Sequence, residues 1–182
     1  MTALERVQQA IAPYPDLKIF LFEESTHTSE LAAQAVGVEV AQIAKTLMFL
    51  ADGEPVLVVA CGGRKIDSKK LGRALGAKKV KFADAESVVR ITGFEPGGVC
   101  PFGLDGSIKS CLDRGLFDYD VVYAAAGTAN SALPVEPERL RGIVGAGVVD
   151  VALYDLSPNF KNISDPSIFL KDFFCLFRII IA

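Results

Sequence analysis

Lys45-Thr46-Leu47-Met48-Phe49-Leu50-Ala51-Asp52-Gly53-Glu54-Pro55-Val56-Leu57-Val58-Val59-Ala60-Cys61 decides how this chain folds. Residues 45–51 and 55–61 are apolar runs of strand length. The Asp-Gly pair between them is the signature of a tight hairpin turn, so the two strands are expected to pair antiparallel. Lys45 is the one charge in the first run, at its mouth. An ammonium taken out of water without a partner costs several kcal/mol, so it must be paired, exposed or stripped of its proton. A strand-end lysine usually lays its stem on the core and its head in water. The other partner such a cation can have is a ligand.

Outward from the hairpin, short helices and strands alternate. Leu4, Val7, Ala10 and Ile11 form a helical stripe that ends before Pro13 and Pro15, and Ile19–Phe22 reads as a short strand. Thr28 or Ser29 caps a helix through Val36, with Glu30 in its first turn and Gly37 as its stop. Asp67 caps a basic helix to Leu75 and Gly76, Val80–Phe82 follows as a strand, and Asp84 caps another helix to Thr92 and Gly93. Strands are expected at Ser107–Leu112, Val121–Ala126, Ala132–Val135 and Val148–Leu153, with a helix from Pro137 to Val144. Some strands are joined by tight turns and others by helices. The expected class is therefore α+β, a mixed, strongly curved, barrel-like sheet with short helices packed outside it.

At 182 residues, with 51% apolar and 23% charged side chains, the chain reads as one globular unit. No signal-like apolar stretch opens it, so a cytoplasmic protein with no membrane role is expected. Cys61, Cys100, Cys111 and Cys175 include no C-x-x-C pair, and there is a single histidine, His27. The usual zinc motifs and every catalytic set needing two histidines are excluded, and no metal or cofactor is expected.

The net charge of −3 hides an asymmetry. Residues 64–81 hold eight of the nineteen cations (Arg64, Lys65, Lys69, Lys70, Arg73, Lys78, Lys79, Lys81) and one acid, Asp67, so this stretch carries +7 and the remainder −10. A solvated helix face accounts for many such runs. In an acidic protein it also has the footprint of a surface for a phosphate backbone. With no zinc finger, basic zipper or RNP signature, the expected nucleic acid is an RNA end or loop.

Two further segments carry chemistry. In Gly97-Gly98-Val99-Cys100-Pro101-Phe102-Gly103, the glycines permit close backbone approach and Pro101 fixes the chain beyond them. Ala124-Ala125-Ala126-Gly127-Thr128-Ala129-Asn130 ends a strand in small residues and leaves room beside it. A tight connection and dense packing explain the same residues structurally.

The order of Ile43-Ala44-Lys45-Thr46-Leu47, Asp67-Ser68-Lys69-Lys70-Leu71, Ala74 to Val80, Thr92-Gly93-Phe94, Gly97 to Gly103 and Ala126-Gly127 resembles that of the YbaK/ProX family of free-standing aminoacyl-tRNA deacylases. That family is similar to the editing domain inserted in bacterial prolyl-tRNA synthetases. The resemblance implies an editing domain over 1–155 and an extension outside the pattern over 156–182. It implies hydrolysis of the ester on mischarged tRNA, typically Cys or Ala on proline tRNA, with tRNA as partner through its 3' aminoacyl end and prolyl-tRNA synthetase as a second one. Such editing answers a physical need, because a proline pocket rejects equally small residues weakly.

By the same resemblance, Lys45, Gly97, Gly98 and Pro101 are the expected catalytic positions, and Thr46, Val99, Cys100, Gly127, Thr128 and Asn130 the expected substrate contacts. Arg64, Lys65, Lys69, Lys70 and Arg73 are the expected tRNA contacts. Asn130 stands where many relatives have histidine, and it cannot titrate. Without a histidine-based set, the reaction would rest on a positioned water or the substrate's ribose hydroxyl, with Lys45 and backbone N–H groups meeting the oxyanion. Cys100 has no evident base and is expected to line the pocket, and His27 to be a loop or cap residue. The alternatives are a tRNA-binding or regulatory module without turnover, and a hydrolase of another small ester. Gly145-Ala146-Gly147 lacks the third glycine of a dinucleotide fingerprint. In the tail, Leu170, Phe173, Phe174, Phe177 and Ile181 make a helical stripe expected to cover the core or to join a homodimer.

Overall fold

The structure is a computed structural model that describes residues 1–104 and 106–153. The expected extension at 156–182, with its proposed dimer role, lies outside the described residues.

The hairpin forms as its sequence demands. β2 (Ile43–Ala51) and β3 (Glu54–Cys61) pair antiparallel from Ala44 opposite Cys61 to Ala51 opposite Glu54. Asp52 and Gly53 both take positive φ, 51° and 96°, which the turn requires and which glycine adopts without strain. Asp52 does more than turn the chain. Its carboxylate accepts the backbone N–H groups of Lys78 and Lys79 at 3.0 and 2.8 Å, tying the hairpin tip to the basic segment.

Around this pair the sheet is mixed. β1 (Phe20–Leu21), β4 (Lys65–Ile66), β5 (Val80–Phe82), β6 (Lys109–Asp113), β7 (Val122–Ala124), β8 (Ser131–Val135), β9 (Gly147–Val149) and β10 (Ala152–Leu153) complete the described strands. The hydrogen-bonded order is β1-β8-β7-β2-β3-β6-β9, with β5 also on β2 and with β10 and β4 paired separately. The pairs β2–β7, β3–β6 and β6–β9 are parallel and the others antiparallel.

Among the described residues five α-helices pack on it, each with an identifiable start. They are α1 (Ala3–Ile11), α2 (Ser29–Val36), α3 (Ser68–Leu75), α4 (Ala85–Thr92) and α5 (Pro137–Val144). Thr2 and Glu5 close a capping box on α1, Thr28, Asp67 and Asp84 cap α2, α3 and α4, and Pro137 opens α5. The largest core cluster joins Val7 and Ile11 of α1 to Val59, Phe94, Phe102, Leu112 and Leu133, and a second sets Leu71 of α3 against Phe49 and Val58.

One expectation is corrected. Val148–Leu153 is not a single strand: β9 runs beside β6, and the chain then leaves for β4 as β10. The cause is Asp113, fully buried at the end of β6. Its Oδ1 accepts the N–H groups of Val151 and Ala152, each at 2.9 Å, and its Oδ2 accepts that of Gly115 at 3.0 Å. A carboxylate taking three backbone donors pulls the strand out of the ladder.

Replacing Asp113 by alanine would leave those three buried donors without an acceptor. Asp113→Ala should lose about 3 kcal/mol or more in urea unfolding. A loss below about 1 kcal/mol would contradict the role assigned to this carboxylate.

Candidate active site

β2 gives one edge to β3 along its length, but its other edge is divided. Ile43 and Ala44 pair parallel with Tyr123 and Ala124 of β7, while Phe49–Ala51 pair antiparallel with β5. Between these two neighbours no strand among the described residues covers Lys45–Leu47, and the Met48 carbonyl accepts the Ala83 N–H at 3.0 Å. The Ile43 carbonyl accepts from Gly62 on the β3 side, so strand alternation turns the peptide groups of Thr46 toward the gap. A cavity of about 340 Å3 opens there. Its walls are β2 from Ile43 to Met48, Tyr123 and Ala124 of β7 with Ala125 after them, Phe82 and Ala83, Val88 of α4, the segment Thr26–Ser29 and the loop residues Gly97 and Val99.

Lys45 is exposed between two buried neighbours, Ala44 and Thr46. It has no hydrogen bond or ion pair among the described residues. Its charge is felt by Glu30: backbone hydrogen bonding and the Thr28 hydroxyl hold that carboxyl below its usual range, with a smaller contribution from Lys45. Thr46 is the complementary case. It is 7% exposed, and its Oγ1 is buried with no hydrogen-bond partner among the described residues. A buried hydroxyl without a partner is costly, and here it belongs to a residue of the cavity wall.

The glycine loop is built by close approach. A Cβ on Gly97, whose φ is +88°, would lie 3.0 Å from the Cβ of His27, and one on Gly98 would lie 2.9 Å from the Gly127 carbonyl oxygen. The two glycines thereby wedge the loop between the His27 segment and the turn after β7. Gly98 donates its N–H to Glu95 at 3.0 Å, so that donor is spent on the turn. The N–H groups of Gly97 and Val99 have no acceptor among the described residues, and both residues line the cavity.

The other expected site residues stand behind this wall. Cys100 and Pro101 are buried, and the Cys100 thiol points at the Phe102 carbonyl, 3.6 Å away, so the structure does not bring it to the cavity. Burial pushes that thiol up to about 12, far from a nucleophilic thiolate. Thr128 lends its carbonyl to the Ser131 hydroxyl at 3.0 Å, and its own Oγ1 is buried without a partner among the described residues. Asn130 exchanges bonds with Phe22: its Nδ2 donates to the Phe22 carbonyl at 3.0 Å, and its carbonyl accepts the Phe22 N–H at 2.9 Å. Gly127 takes φ +92° and packs against the Ala3 carbonyl.

Sequence reasoning missed several wall residues. His27, read as a loop or cap residue, is exposed on the wall with its Nδ1 3.0 Å from the Ser25 hydroxyl. The Thr28 cap was the available signal, since it places His27 at the entry to α2. Ser29, Tyr123 and Phe82 also line the cavity. Among the described residues no cluster of three or more His, Cys, Asp or Glu could hold a metal.

The basic segment divides in two. Arg64 folds inward, its Nη1 buried where a side chain on Gly115 would otherwise sit, and Lys70 pairs with Asp150 at 3.4 Å and reaches the Ala152 carbonyl at 3.4 Å. Lys65, Lys69 and Arg73 stay exposed, as do Lys78, Lys79 and Lys81, which the expected tRNA contacts omitted. Lys69, Arg73, Lys78 and Lys79 line a groove of about 580 Å3, and the chain leaving it becomes β5, whose last residue, Phe82, is already cavity wall.

A family model described as an aminoacyl-tRNA editing domain matches residues 23–143. The chain belongs to the aminoacyl-tRNA editing family. Among relatives, it is 42% identical over 120 residues to YwhH of Bacillus subtilis, covering 65% of this chain and 76% of that one. It is 27% identical over 150 residues to EbsC of Enterococcus faecalis, whose name ascribes to it Cys-tRNA(Pro)/Cys-tRNA(Cys) deacylation, covering 82% and 91%. Proline--tRNA ligase of Lactobacillus gasseri matches at 38% over 104 residues, only 18% of that enzyme's length. A crystal structure described as a trans-editing enzyme for prolyl tRNA synthetase superposes with a TM-score of 0.78 at 35% identity, covering 85% of this chain and 99% of that one. The reaction class of this editing family is hydrolysis of the aminoacyl-tRNA ester.

The buried thiols give a direct check on this geometry. Cys61, pushed up to about 11 by burial, and Cys100 should resist alkylation at pH 8 in the native protein and react only on unfolding. Cys100→Ser should keep the wild-type rate of ester hydrolysis. Native alkylation at Cys100, mapped by mass spectrometry, would contradict its placement behind the wall.

Proposed function

We propose that the protein is a trans-editing hydrolase that clears the wrong amino acid from the 3' end of tRNA, with Cys or Ala on proline tRNA as its substrates. The observation that carries this reading is the pair at the divided edge of β2: an exposed Lys45 without an ion-pair partner beside a buried Thr46 hydroxyl without a hydrogen-bond partner, both among the described residues. One suits a developing negative charge, the other a small polar or thiol-bearing side chain. The family match and the likeness to EbsC and to the trans-editing structure support the substrate class.

In this mechanism the aminoacyl ester enters the cavity with its carbonyl oxygen toward Lys45. A water held by the neighbouring ribose hydroxyl attacks the carbonyl carbon, negative charge grows on that oxygen, and the water's proton passes through the hydroxyl to the departing ribose oxygen. Lys45 and the free N–H groups of Gly97 and Val99 stabilise that charge, and the bond to the ribose oxygen then breaks. Met48, Val88, Val99 and Ala124 give the wall an apolar part, which suits a small uncharged side chain. The exposed Lys69, Arg73, Lys78, Lys79 and Lys81 meet the phosphates of the acceptor end, a cytoplasmic substrate. No helix among the described residues is long and apolar enough to cross a membrane.

Lys45→Ala should lose about 10²–10³-fold in kcat/KM on mischarged proline tRNA, the usual cost of removing an oxyanion donor, with an unchanged circular dichroism spectrum. An undiminished rate would sink the role of Lys45. His27→Ala should stay well short of the 10²-fold or greater loss that removal of a general base produces. A tRNA-binding module without turnover would bind mischarged tRNA in a filter assay and hydrolyse none of it.

A further inference from the structure

Phe82 is a large aromatic residue left 60% exposed, and it lines the cavity. It is the last residue of β5, paired in register with Phe49 of β2, and the two rings meet edge to face, with centroids 5.4 Å apart at 84°. Phe49 is 3% exposed, so a core ring holds Phe82 in place, and an edge-to-face contact leaves at least one of its faces uncovered. Lys45 and Phe49 share a face of β2 because side chains alternate along a strand, and four residues separate them by roughly 13 Å. That separation is of nucleotide scale. Lys79 and Lys81, exposed and without ion pairs among the described residues, lie three and one residues before Phe82.

A cation for the ester, a fixed π-face one nucleotide away and further cations beyond it match a single-stranded RNA end in order: acyl group, base, phosphates. We propose that Phe82 is the stacking platform for a terminal base of the tRNA 3' end, and that it positions the ester rather than taking part in its cleavage. This rests on the reading of the cavity as an aminoacyl-tRNA site. Base–aromatic stacking is tolerant of base identity, so Phe82 contributes affinity and register, not the choice of tRNA.

The chain contains no tryptophan, so Phe82→Trp carries a unique emission reporter and keeps a stacking ring. Its fluorescence should be quenched by uncharged tRNA ending in CCA, and less by the same tRNA lacking the terminal adenosine. With mischarged tRNA, Phe82→Ala and Phe82→Leu should both raise KM about 10- to 100-fold, the range expected for one lost base stack, with kcat nearly unchanged. Phe82→Trp and Phe82→Tyr should stay near wild type. Leucine restoring wild-type KM would overturn stacking in favour of apolar bulk. Indole emission already shielded in the free protein and insensitive to tRNA would overturn it in favour of cover by the protein's own chain. In either case wild-type turnover would leave the editing reading intact. Failure of that reading would show instead as absence of wild-type hydrolysis on every mischarged tRNA.

Discussion

Two strands compete for one edge of β2, and the site depends on neither of them covering it completely. β7 takes the first two residues in parallel and β5 the last three antiparallel. Strands of opposite direction meeting the same edge cannot run through one another, so among the described residues Lys45–Leu47 have no strand partner on that side. A β-strand interior is a poor place for unsatisfied polar groups, and an edge that keeps them marks a place where something else can bond. The cavity, the exposed lysine and the unpartnered Thr46 hydroxyl all sit in that interval.

The rest of the fold holds this interval open. β3 secures the opposite edge of β2 along eight residue pairs, and Asp52 at the hairpin tip anchors the segment that becomes β5. On the other side, Gly97, Gly98 and Gly127 bring three stretches of backbone closer than any side chain would allow, which sets the far wall. These contacts involve backbone and small residues, so the wall is rigid without being bulky. Such rigidity lets a site stabilise a transition state without reorganising.

Local signals in the sequence were legible where they were strong. The Asp-Gly turn, the Thr28, Asp67 and Asp84 caps and the αL glycines at 37, 76, 93 and 145 all act within a few residues, and the helices begin and end where they place them. Lys45, as a lone charge opening an apolar run, was visible for the same reason. What could not be read depended on distant partners. Asp113 captures Val151 and Ala152 from 38 and 39 residues away and breaks a strand that looks continuous. Cys100 and Gly97 lie in one loop, yet one faces the core and the other the cavity, and no local pattern sets that difference. Arg64 and Lys70 belong to a basic run and nonetheless serve their own chain, through burial beside Gly115 and a pair with Asp150. His27 and Phe82 become wall residues only once α2 and β5 flank the gap.

The most direct test of this account is a crystal structure with a non-hydrolysable analogue, 3'-alanylamino-3'-deoxyadenosine, in which an amide replaces the ester. The account predicts the alanyl group in the cavity against Thr46, with its carbonyl oxygen within hydrogen-bond reach of the Lys45 Nζ. An analogue bound with its alanyl group away from the divided edge of β2 would contradict it.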